Sequence, residues 1–158
     1  MTDDNLSLRK HIANLLDGRQ AHIEIGAVLD KLSFQDLSKQ PKDVPWTLWQ
    51  LFEHTRIAQW DILEFSRNPK HQSPDWPKSY WPEDKGPKDE ATWKASVTSF
   101  RHDLNDMRDL VLDCNVDLHE TLPHGDGQTI LREAMLIADH NAYHLGQMVL
   151  LLKLFGSW

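Results

Sequence analysis

The fold is indicated first by the segment TILREAMLIADHNAYHLGQMVLLLKLF, which runs from Thr129 to Phe155. Its apolar side chains recur every three or four residues, the spacing of an amphipathic helix with one buried face. That face is predicted to carry Ile130, Ala134, Ile137, His140, His144, Met148, Leu151 and Phe155. Two histidines therefore lie in the middle of an otherwise apolar helix face.

His140 and His144 stand four residues apart, which places them on successive helical turns, about 6 Å apart along the axis. This spacing allows both imidazoles to reach one metal ion, as in the HExxH helices of zinc proteases. The residue after the first histidine is Asn141 and not glutamate. The general base of those proteases is missing, so the sequence argues against a peptidase.

Three earlier segments have the same helical periodicity. We expect one helix at about residues 5–32, a second that begins near Pro45–Thr47, and a third at about residues 89–114. Thr47 and Gln50 form a capping-box pattern at the start of the second helix. No segment of any length alternates as a strand would. Together with the last helix, the sequence predicts an all-α four-helix bundle in a single domain spanning residues 1–158.

The connector at residues 68–88 interrupts this helical pattern. Its prolines at 69, 74, 77, 82 and 87 exclude a continuous helix, yet it also contains Trp76, Tyr80 and Trp81. Long connectors in small domains are commonly functional or disordered, and three large aromatic side chains argue against disorder. Two compatible interpretations follow: a loop packed down on the bundle, or a lid or wall over a pocket.

Composition excludes several classes of protein. The net charge of −7 and the lack of a basic cluster argue against nucleic acid as a partner. No apolar run is long enough to span a membrane, and the first residues do not resemble a signal peptide. Cys114 is the single cysteine, which fits a reducing compartment. We therefore expect a soluble cytoplasmic protein.

Four other side chains are expected to have structural or solvent-exposed positions. Cys114 follows Val111 at helical spacing, which predicts a buried structural thiol. His119 and His124 lie in the connector before the last helix and are predicted to be solvated. His22 is predicted to be a hydrogen-bonded residue at the edge of the first helix.

A third histidine on an apolar face strengthens the case for a metal. With nine histidines in 158 residues, about 0.5 HxxxH pairs arise by chance, so the pair alone decides nothing. His54, however, lies between Leu51 and Ala58 on the apolar face of the second helix. A buried polar group without a partner costs roughly 1–3 kcal/mol, whereas three imidazoles can share one cation. A three-histidine metal site and three separately hydrogen-bonded core histidines both remain open at this point.

The two histidine-bearing segments, read together, resemble the DinB/YfiT-like family of metal-dependent enzymes. The residues that carry the resemblance are WTLWQLFEH (Trp46–His54) and DHNAYHLGQ (Asp139–Gln147), and it extends from about Val44 to the end of the chain. The resemblance implies a four-helix bundle, commonly a homodimer, in which His54, His140 and His144 bind one divalent metal ion. Nickel or zinc is the expected metal, with iron, manganese or copper as alternatives.

The same resemblance implies a small-molecule substrate. Some relatives transfer low-molecular-weight thiols or isomerise small acids with a thiol cofactor, so the expected function is a small-molecule (thiol) transferase or hydrolase-like enzyme. A binding module without turnover and a structural dimeric bundle are the alternatives. Three histidine ligands leave an open position on the metal, as in catalytic sites. By helical spacing, Asp61 and Gln147 are the candidates for orienting the imidazoles.

Overall fold

The computed structural model describes residues 3–18 and 20–158, and over these residues every extended regular element is a helix. The helices are α1 (Asp3–Asp17), α2 (Ile25–Leu29), α3 (Leu48–Arg67), α4 (Glu90–Leu112) and α5 (Ile130–Phe155), with a 3₁₀ turn at Lys78–Tyr80. The predicted all-α helical bundle is confirmed. Among the described residues, no helix combines the length and apolar character needed to cross a membrane.

Helix α3 packs against both α4 and α5, and α5 also packs on α1, α2 and α4. Phe52 of α3 is fully buried and meets Trp93 and Phe100 of α4, with ring centroids 4.9 Å and 5.6 Å away. The predicted apolar face of α4 is buried as expected, apart from Val97, which is partly buried. Helix α1 closes the other side of the bundle by packing on α4 and α5.

The first helix is shorter than predicted. Instead of one helix over residues 5–32, the chain forms α1, a turn at Gly18, and the separate short helix α2. Gly18 has a φ of +74°, and its N–H donates to the carbonyl of Leu15 at 3.1 Å. Glycine takes this left-handed conformation at little steric cost, and a glycine there ends a helix. The apolar side chains of both segments still face the core, since Leu16 of α1 and Val28 of α2 are both buried.

The start of α3 agrees with its capping-box prediction. The Gln50 N–H donates to the Thr47 hydroxyl, and the Thr47 N–H donates to the Gln50 side-chain oxygen, both at 3.1 Å. The Gln50 amide nitrogen also donates to the carbonyl of Pro82 at 3.0 Å. One side chain thus fixes the first turn of α3 and ties the 68–88 connector to it.

Two predictions about isolated side chains are wrong. Cys114 is exposed, because α4 ends at Leu112 and the extended backbone of Asp113 carries the chain away from the buried face. His124 is half-buried: its ring lies edge-on to Phe65, and its Nε2 is 2.7 Å from the Phe65 carbonyl. His119 is exposed as predicted. His22 is hydrogen-bonded as predicted, with its Nδ1 2.9 Å from the carbonyl of Ile23, and its side chain is exposed.

Candidate metal centre

The three predicted ligands meet where α3 packs against α5. Helix α3 carries His54, and α5 carries His140 and His144 on successive turns of its buried face. Each histidine offers one ring nitrogen, and the three nitrogens all lie within 4.8 Å of one another. The Nε2 atoms of His54 and His140 are 3.3 Å apart. His54 and His144 are 3% and 6% exposed, and His140 is half-buried.

Hydrogen bonds fix the orientation of two of the three rings. The Nδ1 of His54 lies 3.1 Å from the Tyr80 carbonyl oxygen, and the Nδ1 of His144 lies 2.9 Å from the Gln147 side-chain oxygen. Oxygen acceptors of this kind require Nδ1 to carry the proton, which leaves the lone pair on Nε2. Gln147 therefore occupies the orienting position predicted for it.

His140 is held differently. Its Nδ1 is buried and has no hydrogen-bond partner among the described residues. The ring is positioned instead by edge-on packing, with centroids 4.4 Å from His144 and 5.1 Å from His54. His140 is thus the least constrained of the three imidazoles.

The geometry can be compared with that of a bound ion. Two imidazole nitrogens at the usual metal distance of about 2.0–2.1 Å and a tetrahedral angle are about 3.4 Å apart. The His54–His140 separation of 3.3 Å matches this value. The third nitrogen, from His144, lies within 4.8 Å of the other two. The three histidines could hold a metal ion, and their nitrogens suit a borderline-soft cation such as zinc or nickel.

Burial keeps the three imidazoles neutral. It lowers the pKa of His54 to about 4, with the Tyr80 hydrogen bond opposing the shift and His144 adding to it. Burial also lowers the pKa of His140 to about 4, with smaller contributions from His144 and His54. The pKa of His144 is lowered by burial and raised in part by Gln147. Neutral imidazoles are the form that binds a metal, so no proton has to leave at neutral pH.

The 68–88 connector brings aromatic side chains to this site. The Trp81 ring stacks on His54, with centroids 3.9 Å apart and planes 4° from parallel. Trp46 stacks behind Trp81 at 5.3 Å, and Trp76 lies 6.5 Å from His54 with 70% of its surface exposed. The connector therefore packs on the bundle, as the first interpretation predicts, and places aromatic rings against His54. That it is a lid or wall over a pocket stays a prediction. The part played by Trp46 was not predicted.

Asp61 acts on the site indirectly. Its carboxylate accepts the Tyr80 hydroxyl at 2.6 Å and lies 2.7 Å from Nε2 of His71. Tyr80 in turn places its backbone carbonyl against His54. Asp61 therefore holds the residue that orients an imidazole, and does not contact a histidine of the cluster itself. No pattern in the sequence indicates a role for His71. The role of the Tyr80 backbone carbonyl cannot be predicted from sequence either, because every residue has such a carbonyl.

Asn141 does not supply the missing general base. Its amide nitrogen donates to the Gln59 side chain at 2.8 Å, and Gln59 donates to the Phe100 carbonyl at 2.8 Å, so Asn141 belongs to the core. Among the described residues, no carboxylate joins the histidine cluster.

The lowered histidine pKa values predict an acid-sensitive metal-free protein. In the folded state the pKa of His54 and of His140 is about 4, below the value of about 6.5 in the unfolded chain. The contribution of these two neutral imidazoles to the free energy of unfolding is therefore complete above about pH 6.5 and is lost as the pH falls towards about 4. Urea unfolding of metal-free protein at pH 7, 6 and 5 should show a smaller decline in the His140→Gln variant than in wild type. The exposed His119, changed to Gln, is the matched control and should leave the decline intact. Equal declines in wild type and His140→Gln would contradict the prediction.

Comparison with known proteins agrees with the geometry of the site. No curated protein and no solved structure matches the chain. The family model of the DinB superfamily matches residues 19–148, which include all three clustered histidines. Members of this superfamily bind metals. The match covers most of the sequence, and the chain therefore belongs to the DinB superfamily.

Proposed function

We propose that this protein is a metal-dependent enzyme that acts on a small molecule at a centre formed by His54, His140 and His144. The observation that carries the proposal is the convergence of three neutral imidazole nitrogens, two of them held with Nε2 free. Three nitrogen ligands leave at least one position open for a substrate. A divalent ion held there would supply Lewis acidity, which polarises an electrophile or stabilises a thiolate.

The surrounding residues support chemistry on a small, partly apolar molecule. Trp81 covers one face of His54 and shields it from water. Trp76 lies 6.5 Å from His54 with 70% of its surface exposed. These rings offer an approaching ligand apolar surface next to polar nitrogens, as small-molecule sites commonly do. A thiol transferase or a hydrolase-like enzyme is the reaction class that we propose.

Zinc and nickel are the metals that we propose first. Nitrogen-only ligation without a carboxylate is poorly suited to magnesium, calcium and manganese, which prefer oxygen ligands. Copper and ferrous iron also accept imidazole, and affinity order alone does not separate them.

One observation favours a second candidate, a metal-binding module without turnover. Among the described residues the cluster contains no carboxylate that could act as a base. An assay of thiol transfer to electrophiles separates the two candidates, because turnover above the background of a His54→Ala variant requires an enzyme. A protein that is fully loaded with metal but shows no such turnover with any of the electrophiles would favour the binding module.

Metal content tests the centre directly. We expect about one divalent ion per chain by elemental analysis, and its loss in the His140→Ala and His144→Ala variants, because each removes a converging nitrogen. His102→Ala, at an exposed position of α4, should keep the ion. Circular dichroism would show that the variants remain helical. A wild-type protein that carries no metal and takes up none would disprove the proposal.

Gln147 should tune metal affinity without being a ligand. Changing it to Leu removes the acceptor for the His144 Nδ1–H, and loss of such a partner weakens metal binding by about tenfold to a hundredfold. Gln147→Glu keeps an acceptor oxygen and should restore most of the affinity. The measurement is competition with a chromogenic chelator, and equal affinities for the Leu and Glu variants would refute this role.

We also propose that the protein is a homodimer that pairs through α5. Tyr143, Leu150 and Leu154 are 65%, 57% and 61% exposed, and their spacing of seven and four residues places them on one face of the helix. Light scattering on a sizing column should give twice the chain mass for wild type and a monomer for Leu150→Glu. Lys153→Glu, a charge change off that face, is the control. A monomeric wild type would refute the dimer.

A further inference from the structure

A second cleft lies on a different face of α3 from the histidines. It has a volume of about 640 Å³, and its lining includes Arg56, Ile57, Trp60, Pro74, Ser79 and Asp103. With 3.6 residues per turn, the side chains of Ile57, Trp60 and Arg56 lie about 60°, 120° and 160° around α3 from that of His54, all in the same direction. The cleft lies between α3, α4 and the 68–88 connector, whereas the histidines lie between α3 and α5. It is therefore separate from the metal centre.

One wall of the cleft carries a fixed guanidinium group. Glu53 is 6% exposed and accepts two nitrogens of Arg56, with Nε at 3.0 Å and Nη2 at 2.8 Å. This two-point pairing restrains the plane of the guanidinium. Among the described residues, the remaining nitrogen, Nη1, has no hydrogen-bond partner. It is a donor available to an oxygen atom of a ligand.

Another wall carries a half-buried carboxylate without a partner. Asp103 of α4 makes no hydrogen bond and no ion pair among the described residues. The charges of His102, Arg56 and Arg67 each act to lower its pKa. Burial outweighs these charges and raises the pKa of Asp103. Arg67 is occupied by Glu64 and Asp106. A desolvated carboxylate in this position gains most from a cationic partner.

The remaining surface of the cleft is largely apolar. Ile57 and Trp60 contribute it from α3, and Pro74 contributes it from the connector. The edge-on contact between Trp60 and His71, with centroids 5.2 Å apart, fixes the indole ring. A few polar groups set in an apolar wall are typical of sites for small organic ligands.

We propose that this cleft binds a small zwitterion of the α-amino acid class with an apolar or aromatic side chain. Its ammonium group would pair with Asp103, its carboxylate would accept Arg56 Nη1, and its side chain would pack on Ile57 and Trp60. The Glu53–Arg56 pair is neutral as a unit, so Asp103 leaves the cleft with a net negative charge. The ammonium group therefore contributes more to binding than the carboxylate does.

Calorimetry with the full chain and three related probes tests the proposal. The probes are L-phenylalanine, phenethylamine, which lacks the carboxylate, and 3-phenylpropanoate, which lacks the ammonium group. We expect L-phenylalanine to bind best, phenethylamine to bind about tenfold more weakly, and 3-phenylpropanoate to bind most weakly, because charged hydrogen bonds of this kind are worth about tenfold or more. Removing metal with a chelator should leave this order unchanged, which separates the site from the metal centre.

A matched pair of variants assigns the ammonium contact. Asp103→Asn should weaken L-phenylalanine binding at least about tenfold and leave 3-phenylpropanoate binding no weaker. Asp109→Asn, on the same helix with a side chain 77% exposed, should change neither. The proposal is overturned if L-phenylalanine does not bind, if the three probes bind equally, or if Asp103→Asn binds like Asp109→Asn. Because the probe series uses wild-type protein, it remains decisive even if Asp103→Asn fails to fold.

Discussion

Three imidazole rings lie at the contact between α3 and α5. Burial there disfavours their charged forms, and their ring nitrogens depend on hydrogen-bond partners within the protein. His54 and His144 satisfy Nδ1 with a backbone carbonyl and a side-chain amide. The same bonds direct the Nε2 lone pairs to a common point, where His140 Nε2 already lies 3.3 Å from that of His54. The requirement to satisfy buried polar atoms thus produces a site whose nitrogens are spaced for a cation.

The 68–88 connector is as much a part of this site as the helices are. Several hydrogen bonds hold it to α3. Gln50 bonds to the Pro82 carbonyl, Asp61 to the Tyr80 hydroxyl and to His71, and His54 to the Tyr80 carbonyl. Only with the connector held in this way can Trp81 stack on His54. Its prolines prevent a helix, which leaves backbone carbonyl groups free to accept bonds from side chains.

Helix α3 separates two chemically different environments. One face presents neutral nitrogens to α5, and another presents a guanidinium to the cleft beside α4. The connector borders both, through Tyr80 on the side of the histidines and through Pro74 and Ser79 on the side of the cleft. The two sites share this wall while using different side chains, which is why chelation and ligand binding can be measured independently.

Helical periodicity and capping are local properties, so the sequence predicts the helices and the capping box at Thr47. It also predicts that His54, His140 and His144 lie on apolar helix faces. The break at Gly18 and the exposure of Cys114 do not, since a regular apolar pattern continues across points where the backbone turns. Other contacts depend on how the connector and helices pack: the Tyr80 carbonyl at His54, the link between Asp61 and His71, and the placement of Asp103 in the same cleft as Arg56. Local sequence determined which faces are buried, and only the tertiary structure decided which polar atoms meet, because those contacts join residues distant along the chain.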